Sequence, residues 1–495
     1  MRLIDLIRGT EAQLAGPVFA GDAEIRELTS DSREVRPGAL FAALPGTRTH
    51  GRDYIGEAVE RGALAVLARD NTALPASAEN VVLITSERPR RTFSLMAARY
   101  YASQPGFIAA ITGTNGKTSV AAFCRQLWRA AGEPAASLGT LGLDPAAAAT
   151  TPGALTTPDP LALHRCLAEM TANGIDRLAI EASSHGLEQE RVDGLAINAA
   201  AFTNLSQDHL DYHGDMDAYF RAKARLFAEL LPADGIAVIN ADTPQSGAIR
   251  EICRHRGIRV WSYGRDETAD LRLEGRSTDP KGQDLRLTLF ERDYHVRLPL
   301  VGRFQVMNAL AALGLVAASG VPVEQLVPAL ATLEGAAGRL QHVAETRAGG
   351  VVFVDYAHTP DALESVLDAL RPHARRRLIA VFGAGGDRDA AKRPMMGRIA
   401  ASRADRVIVT DDNPRGENPA EIRQAILAAA SGAEEIGDRA AAIRAAVSGL
   451  ADGDVVLIAG KGHETGQIVG ETILPFDDTT TAQTAVAEQE AGGAP

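Results

Sequence analysis

Short aliphatic runs alternate with stretches of helical period over much of the chain. The first series of such runs lies at 107–112, 178–182, 200–205 and 236–240. Buried strands that alternate with helices are typical of a parallel sheet covered by helices. This region is therefore predicted to be an α/β domain, entered through an amphipathic helix at 88–101.

A second α/β series follows the Gly338-Arg339 pair. Its aliphatic runs lie at 351–356, 378–382, 406–410 and 455–459. Their unbroken apolar character is typical of parallel strands buried on both faces. Between the two series, the segments 285–290 and 295–300 predict a pair of antiparallel strands. The Ala-, Glu- and Gly-rich tail from Thr481 is expected to fray.

The composition is that of a globular protein with an acidic balance. The 495 residues suggest about three domains. With 45% hydrophobic and 23% charged residues, wholesale disorder is excluded. The 51 basic and 63 acidic side chains leave a net charge of −12, whereas general nucleic-acid binders and membrane-surface proteins are usually basic. We expect no nucleic-acid partner.

Cysteine usage and hydropathy favour a cytoplasmic protein. Cys124, Cys166 and Cys253 lie far apart and form no CxxC pair, which fits a reducing compartment. No apolar signal segment follows Met1. The longest uncharged stretch, 304–323, is interrupted by polar residues and proline, so it predicts a buried alanine-rich helix and no membrane insertion.

The strongest local motif is the loop Thr112-Gly-Thr-Asn-Gly-Lys-Thr118. Its glycines allow backbone amides to face phosphate, Lys117 neutralises charge, and the Thr118 hydroxyl is a ligand for Mg²⁺. Ile111 stands where the general eight-residue pattern has glycine, but a strand precedes the loop and a helix follows it. The loop is therefore interpreted as a nucleoside-triphosphate phosphate site. The alternative is a glycine turn with a chance lysine.

Polar residues follow other strands of the first series. Glu181 is placed to hold Mg²⁺ near the nucleotide, because ligands gather beyond the carboxyl ends of parallel strands. An N-cap carboxylate is the alternative. His209 lies in a cluster of titratable residues, with an ordinary loop histidine as the alternative. Lys223 falls in the middle of a predicted helix, where the pattern indicates a solvated surface charge.

The second series ends its strands on groups suited to an amino acid. Arg388 sits in a glycine loop fitted to a carboxylate or phosphate. The string Asp411-Asp-Asn-Pro-Arg415 offers acids for an ammonium and a guanidinium for a carboxylate, with a proline-stiffened turn as the alternative. Glu464 is a candidate for a second ammonium, with a solvated loop acid as the alternative.

Taken together, these strings resemble the Mur ligase family over nearly the whole chain. The matching strings follow in family order: 29–33 with 38–41, 113–118, 183–191, 203–214, 355–360, 385–393, 412–415 and 460–464. The resemblance implies an α/β fold of three domains: 1–88 for a UDP-sugar, 89–338 as a P-loop-type ATPase with a parallel sheet, and 339–495 as a Rossmann-like amino-acid domain.

The resemblance also implies a reaction. It would be an ATP-driven ligation of meso-2,6-diaminopimelate to the D-glutamyl γ-carboxylate of UDP-N-acetylmuramoyl-L-alanyl-D-glutamate, through an acyl phosphate, in peptidoglycan precursor synthesis. The expected cofactors are ATP and Mg²⁺, and the expected state is a monomer. The rivals are a lysine-adding ligase, a folylpolyglutamate synthetase and a partner-stimulated regulatory or motor ATPase.

Site residues carry over by position. The UDP-sugar falls to Ser30, Ser32, Thr47, Arg48 and Thr49, and its peptide arm to Thr156, Thr157, Ser183, Gln189 and Arg191. ATP falls to Gly113, Thr114, Asn115, Gly116, Lys117, Thr118, Asn308, Arg339 and Asp355. Diaminopimelate falls to Arg388, Asp412, Asn413, Pro414, Arg415, Gly460 and Glu464.

The resemblance replaces the surface interpretation of Lys223 with a catalytic one. It implies a carbamate on Lys223, formed with CO₂, which binds Mg²⁺ as a carboxylate would. Thr118 and Glu181 would bind one Mg²⁺ and His209 a second. Lys117 would offset charge on the transferred phosphoryl group, and His209 is a candidate acceptor for the amine proton.

Arg415 is predicted to decide the amino-acid substrate. Diaminopimelate has a second carboxylate at its far end and lysine has none, so an unpaired buried guanidinium would penalise lysine. Two positions depart from the family pattern. Gln305 stands where relatives carry Asn, and the string 335–341 lacks the usual proline before Gly338 and carries Gln341 in place of Glu.

Overall fold

The computed structural model describes residues 1–15, 20–46, 50–145 and 155–492. These form two compact units. The first comprises Met1–Lys117, Gly132–Ile239 and Thr243–Trp261. The second comprises Thr118–Ala131, Asn240–Asp242 and the chain from Ser262 onward.

The first unit begins with a five-stranded sheet. Its strands are β1 (Gln13–Ala15), β2 (Glu27–Thr29), β3 (Ala39–Ala42), β4 (Ala65–Arg69) and β5 (Val82–Ser86), in the order β1-β5-β4-β3-β2. All neighbours are parallel except β1 with β5. The accompanying helices are α1 (Leu3–Ile7), α2 (Ile55–Glu60) and α3 (Pro89–Tyr101). Strand β3 is buried on both faces, with Leu40 in one core and Phe41 in the other, which explains its unbroken apolar run.

The larger sheet of this unit carries the phosphate-loop motif. Its strands are β6 (Phe107–Thr112), β7 (Ala135–Gly139), β8 (Gly142–Asp144), β9 (Arg177–Glu181), β10 (Ile197–Phe202) and β11 (Ile236–Asn240), in the order β11-β10-β6-β9-β7-β8. Every neighbouring pair is parallel except β7 with β8. The phosphate loop is followed by α4 (Lys117–Ala130), which belongs to the second unit from Thr118 onward. The helices of the first unit here are α5 (Pro160–Ala172), α6 (Ser184–Glu188), α7 (Leu210–His213), α8 (Met216–Arg225) and α9 (Ser246–Arg256). The four predicted strands of the first series are thus confirmed.

Strand β12 (Arg259–Gly264) belongs to the second unit from Ser262 onward. This unit also contains strands β13 (Leu271–Asp279), β14 (Gly282–Leu289) and β15 (Arg292–Leu298). The last three form an antiparallel meander. The predicted pair β14–β15 is confirmed. Strand β13 escaped prediction because its second half is polar and exposed. Helices α10 (Arg303–Ala317) and α11 (Val323–Ala329) follow, and Trp128 Nε1 of α4 donates to Ser319 Oγ at 2.9 Å.

A six-stranded sheet completes the second unit. Its strands are β16 (Gln341–Glu345), β17 (Val351–Asp355), β18 (Leu378–Phe382), β19 (Arg406–Val409), β20 (Glu434–Glu435) and β21 (Val455–Ala459), in the order β16-β17-β21-β18-β19-β20. All neighbours are parallel except β16 with β17. The helices are α12 (Pro360–Leu370), α13 (Lys392–Arg403), α14 (Pro419–Leu427) and α15 (Arg439–Val447). A hairpin follows, β22 (Gly466–Val469) with β23 (Thr472–Pro475). The predicted second series is confirmed.

The expectation that the tail frays is wrong. Helix α16 (Asp478–Gly492) ends the described chain and buries Ala482, Ala485 and Val486 in the core beneath β17 and β21. Alanine side chains lose no rotamer entropy on burial and allow close packing, so a low-complexity segment forms a stable helix here. Across the described residues, no helix has both the length and the apolar character needed to cross a membrane.

Candidate active site

The backbone conformation of the phosphate loop is fixed by Gly113 and by hydrogen bonds to Asn204, just beyond the end of β10. Gly113 has a φ of +144°, and a Cβ there would lie 1.9 Å from Thr203 Oγ1. Asn204 accepts from Thr114 N through its carbonyl and from Asn115 N through its side chain, both at 2.9 Å. Lys117 Nζ donates to the carbonyls of Gly113 and Thr114 at 2.9 and 2.7 Å. Lys117 is thus pre-positioned over the loop at the start of α4, where the helix favours an anion.

Lys223 is a buried lysine, contrary to the surface charge its helical context predicted. Its side chain lies in α8, and its Nζ donates to Gly113 O at 2.8 Å and sits 4.4 Å from the ring centre of Tyr219. Burial, and secondarily the positive charge of Lys117, lower the pKa of Lys223 well below its usual value. An amine with a lowered pKa has a larger neutral fraction, and the neutral amine is the nucleophile. Helix α8 then runs into a π-helical turn at Leu226–Leu230.

Glu181 ends β9 as a buried carboxylate. Thr140 donates to it from its backbone N at 2.8 Å and from its hydroxyl at 3.2 Å. The absence of a side chain at Gly139 makes this approach possible, since a Cβ there would lie 2.0 Å from Glu181 Oε1. The carboxylate is therefore held in a fixed orientation by backbone and hydroxyl donors.

His209 belongs to a cluster of aromatic and imidazole rings. It has a φ of +53°, its Nε2 lies 3.5 Å from Asp208 Oδ2, and its ring centre is 4.8 Å from that of His185. His213 accompanies it, with Nδ1 2.8 Å from Glu188 Oε2. Burial lowers the pKa of His213. The cluster reaches the phosphate loop through Tyr219, whose hydroxyl is 3.2 Å from Thr114 Oγ1.

The five residues assigned to the peptide arm lie together. Thr157 Oγ1 donates to Glu181 O at 2.8 Å and lies 2.9 Å from Ser183 Oγ. The arginine of the group donates to Thr157 O at 2.8 Å and to Gln189 Oε1 at 2.6 Å. The Thr156 hydroxyl lies 3.1 Å from that of Thr140. Burial lowers the pKa of Arg191, a half-buried cation with no carboxylate partner among the described residues.

The predicted UDP-sugar residues are only partly within the described chain. Ser32 is buried and donates to Glu57 Oε2 at 2.7 Å, whereas Ser30 is exposed. Thr47, Arg48 and Thr49 lie outside the described residues. The structure therefore leaves this group as a prediction.

In the second unit, the residues assigned to ATP form one hydrogen-bonded array. Asn308 Nδ2 donates to Gln305 Oε1 at 3.0 Å, and Gln305 Nε2 donates to Arg339 O at 3.1 Å. Asp355 accepts from Leu340 N and Ala357 N, each at 2.7 Å. Burial raises the pKa of Asp355 to about 6. The departure at Gln305 is thus accommodated as a bridge between two of the assigned residues.

Gln341 also has a place in this segment. Its Oε1 accepts from Gly338 N at 2.9 Å, and Gly338 O accepts from Tyr356 N at 2.9 Å. The guanidinium of Arg339 lies 4.9 Å from the ring centre of Tyr356. Both departures from the family pattern therefore bond to the segment that carries Arg339.

The amino-acid group lies at the carboxyl ends of β19 and β21. Asp412 Oδ1 accepts from Asn413 N at 2.7 Å, while Oδ2 is buried with no hydrogen-bond partner among the described residues. A Cβ on Gly460 would lie 2.4 Å from that free oxygen. Asn413 Nδ2 donates to Glu464 Oε2 at 2.8 Å. An unpaired buried carboxylate oxygen is costly unless a ligand supplies the donor.

The hairpin β22–β23 fixes Arg415. This arginine has a φ of +50°; its N donates to Ile468 O at 3.0 Å and its O accepts from Gly470 N at 2.8 Å. Its Nη1 donates to Gly386 O at 2.9 Å, and Pro414 O approaches the same glycine so closely that a Cβ would lie 1.9 Å away. Arg388 is exposed at the same loop.

Comparison with known proteins shows the family of the chain. Three family profiles match in succession: "Mur ligase family, catalytic domain" at 24–101, "Mur ligase middle domain" at 111–316, and "Mur ligase, glutamate ligase domain" at 338–462. A UDP-N-acetylmuramoyl-L-alanyl-D-glutamate–2,6-diaminopimelate ligase of Bradyrhizobium diazoefficiens is 51% identical over 497 residues, covering 99% of this chain and 100% of the relative. The chain belongs to the Mur ligase family.

Other Mur ligases extend the comparison. A relative of the same name from Caulobacter vibrioides is 52% identical over 466 residues, covering 93% of this chain and 95% of its own. A solved ligase of that name is 34% identical with a TM-score of 0.72, covering 94% of this chain and 95% of its own. The MurF ligase from Thermotoga maritima, solved with ADP, shares the fold at 19% identity and a TM-score of 0.61, over 96% and 100% of the chains. The predicted α/β fold class is confirmed.

Several residues of this Mur ligase site were not found from sequence. Thr140, Tyr219 and Lys461 each contact an assigned residue, yet none was singled out. A threonine in a turn and a tyrosine in a helix give no local signal. Lys461 did offer one, because it lies two residues beyond the aliphatic run of a buried strand.

Proposed function

We propose that this chain is an ATP-dependent ligase that adds meso-2,6-diaminopimelate to UDP-N-acetylmuramoyl-L-alanyl-D-glutamate. The observation that carries the proposal is the amino-acid group, where a buried, unpaired carboxylate oxygen of Asp412 accompanies Arg415. Two relatives that carry the name of a diaminopimelate ligase, each about half identical to this chain over nearly its full length, support the proposal.

The phosphate loop would bind the ATP phosphates. Lys117 and the amides of Gly113 to Gly116 would offset charge as the γ-phosphoryl group moves to the D-glutamyl carboxylate, giving an acyl phosphate and ADP. The neutral amine of diaminopimelate then attacks the acyl carbon and phosphate leaves. Asn308 and Asp355 are proposed to frame the adenosine. Arg339 is proposed to face the phosphates.

The residues present fit Mg²⁺. Thr118 places a buried hydroxyl in the first turn of α4, and Glu181 is a carboxylate already oriented by Thr140. No cluster of three or more ligating side chains occurs in the described part of the chain, and Mg²⁺ commonly takes one or two carboxylates plus substrate phosphates. Bound Mg²⁺ would neutralise phosphate charge. We propose Thr118 and Glu181 for one ion, and His209 and a carbamate on Lys223 for a second.

The carbamate proposal rests on the environment of Lys223. Its lowered pKa provides a neutral amine, and Lys117 provides a cation that would attract the resulting anion. His209 remains a candidate acceptor for the amine proton. Ser30, Ser32, Thr47, Arg48 and Thr49 are proposed for the UDP-sugar. The division at 1–88, 89–338 and 339–495, a cytoplasmic location and a monomeric state stay predictions.

The substrate groups of diaminopimelate match the pocket. Asp412, Gly460 and Glu464 would receive ammonium groups, while Arg388, Asn413 and Arg415, with Pro414 shaping the turn, would receive carboxylates. The first test is ADP release with ATP, Mg²⁺ and UDP-N-acetylmuramoyl-L-Ala-D-Glu, comparing meso-diaminopimelate with L-lysine. Turnover with diaminopimelate alone is expected. Turnover with lysine would contradict the role of Arg415, and turnover with neither would contradict the ligase.

A further inference from the structure

Lys461 is a fully buried lysine beside the amino-acid group, and the proposed function gives it no role. It lies two residues after the end of β21, and its side chain has no exposed surface. Its Nζ donates to Asn413 Oδ1 at 2.9 Å and to Glu464 Oε2 at 3.1 Å. A buried ammonium is costly unless it is paired and hydrogen-bonded, so these two contacts hold it in place.

Contacts with Lys461, Ile468 and Glu464 together fix which way the Asn413 amide points. Lysine is only a donor, so the atom that faces it must be the amide oxygen. That oxygen also accepts from Ile468 N at 2.9 Å, which uses its second lone pair. The amide nitrogen is therefore turned the other way, where it donates to Glu464 Oε2 at 2.8 Å.

One donor and one acceptor of the Asn413–Glu464 pair are left for a ligand. Glu464 Oε2 takes both Lys461 and Asn413, and within the described chain no hydrogen bond reaches Oε1. The second N–H of Asn413 likewise has no acceptor among the described residues. An N–H suits a carboxylate and a carboxylate oxygen suits an ammonium. Side by side they match an amino-acid group, which carries both on one carbon.

We propose that Lys461 is a positioning residue that bridges Asn413 Oδ1 and Glu464 Oε2, holds the Asn413–Glu464 pair in place and thereby sets the affinity for one amino-acid end of the incoming substrate. The inference rests on the proposed function. Without the ammonium, Ile468 N still holds the amide oxygen, but the bridge from Asn413 to Glu464 is lost and Glu464 Oε2 loses its ammonium partner, so the pair is held less firmly in its binding position. Substrate binding weakens, while the phosphate loop and the UDP-sugar residues are untouched.

The test is the steady-state kinetics of Lys461→Met, which keeps the stem and removes the ammonium. The KM for diaminopimelate should rise about tenfold or more, with the KM values for ATP and the UDP-sugar peptide unchanged. Lys281→Met is the control, because Lys281 is an exposed lysine paired with Glu345. A merely structural role would lower kcat through the active fraction and leave all three KM values alone, and that result overturns the inference.

A double-mutant cycle tests whether Lys461 acts through Asn413. The effects of Lys461→Met and Asn413→Ala on the KM for diaminopimelate should be less than additive, because the two side chains share a hydrogen bond, whereas strictly additive effects would overturn the inference. If Lys461→Met does not fold, Lys461→Gln removes the positive charge but keeps a polar donor in the buried site. Its KM for diaminopimelate should also rise about tenfold or more, and an unchanged KM overturns the inference.

Turnover by the wild-type enzyme distinguishes a failure of the proposed function from a failure of the role proposed for Lys461. Absence of turnover by the wild type refutes the proposed function and this inference with it. Wild-type turnover combined with an unchanged KM in Lys461→Met refutes the inference alone.

Discussion

The amino groups of Lys117 and Lys223 converge on one acceptor, the carbonyl oxygen of Gly113, at 2.9 and 2.8 Å. Two ammonium groups this close repel each other, and burial of Lys223 adds to the penalty on its charged form. Carboxylation of Lys223 would turn the repulsive pair into an attractive one. The geometry therefore gives a physical reason for a carbamate at this position.

Lys223→Ala is expected to lower kcat by about 100-fold or more, because a negative group at the phosphate site is lost. Lys223→Glu should retain part of the activity, since its carboxylate replaces the carbamate. Arg221→Ala, an exposed change on the same helix, is the control. The measurement is ADP release, repeated on enzyme depleted of bicarbonate and then resupplied. Full activity of Lys223→Ala would refute the carbamate.

Arg415→Ala is expected to erode discrimination between diaminopimelate and lysine. The wild-type guanidinium is positioned by the hairpin and by Gly386, and it penalises a substrate without a far carboxylate. The ratio of kcat/KM for the two amino acids should fall by about 100-fold or more. Arg398→Ala removes an exposed arginine of α13 and should leave the ratio unchanged. An unchanged ratio in Arg415→Ala would indicate that Arg388, and not Arg415, discriminates between diaminopimelate and lysine.

His164 is expected to make stability depend on pH. It is buried in α5, neither ring nitrogen has a partner among the described residues, and burial lowers its pKa from 6.5 to about 4. Because the folded pKa is lowered, the unfolded chain binds the proton first as the pH falls below 6.5. Above that pH, His164 is neutral in both states and leaves the free energy of unfolding unchanged. Below it, the free energy of unfolding falls progressively, and at about pH 4 it is lower by about 3 kcal/mol.

Urea unfolding at pH 7 and pH 5 checks this prediction. The free energy of unfolding of the wild type should fall more between the two pH values than that of His164→Leu. The comparison with the variant removes the effect of every other titrating group. Equal pH dependence in the two proteins would mean that His164 gains a proton in the fold as easily as in the unfolded chain.

The aliphatic runs predicted much of the fold, and burial of polar groups decided what they missed. Strands β6, β11, β18 and β21 have the bounds that their unbroken apolar runs indicated. The helical pattern placed Lys223 at the surface because its acceptor, Gly113 O, is 110 residues away in the chain, and only the family resemblance assigned it to the site. Helix α16 was missed because alanine burial depends on the sheet beneath it. Lys461 was missed because its partner Asn413 is 48 residues away in the chain.

Gly338→Ala tests the segment that carries Arg339. Gly338 has a φ of +64°, and a Cβ there would lie 2.3 Å from His463 N and 2.4 Å from Gly462 C. Gly432 has a φ of +80° with nothing within 4 Å of its Cβ position, so Gly432→Ala carries the same left-handed backbone penalty without the clash. That penalty is about 1 kcal/mol, and the contact with rigid backbone should add about 1–3 kcal/mol in Gly338→Ala.

The measurement is the free energy of unfolding of both variants, together with their KM for ATP. Gly338→Ala should be the less stable and should raise the KM for ATP, because the shifted backbone moves the Arg339 guanidinium away from Tyr356. Gly432→Ala should leave the KM for ATP at the wild-type value. Equal losses of stability in the two variants would mean that the 338–341 segment shifts without cost, and the position of Arg339 would then not depend on the close approach of Gly338 to Gly462 and His463.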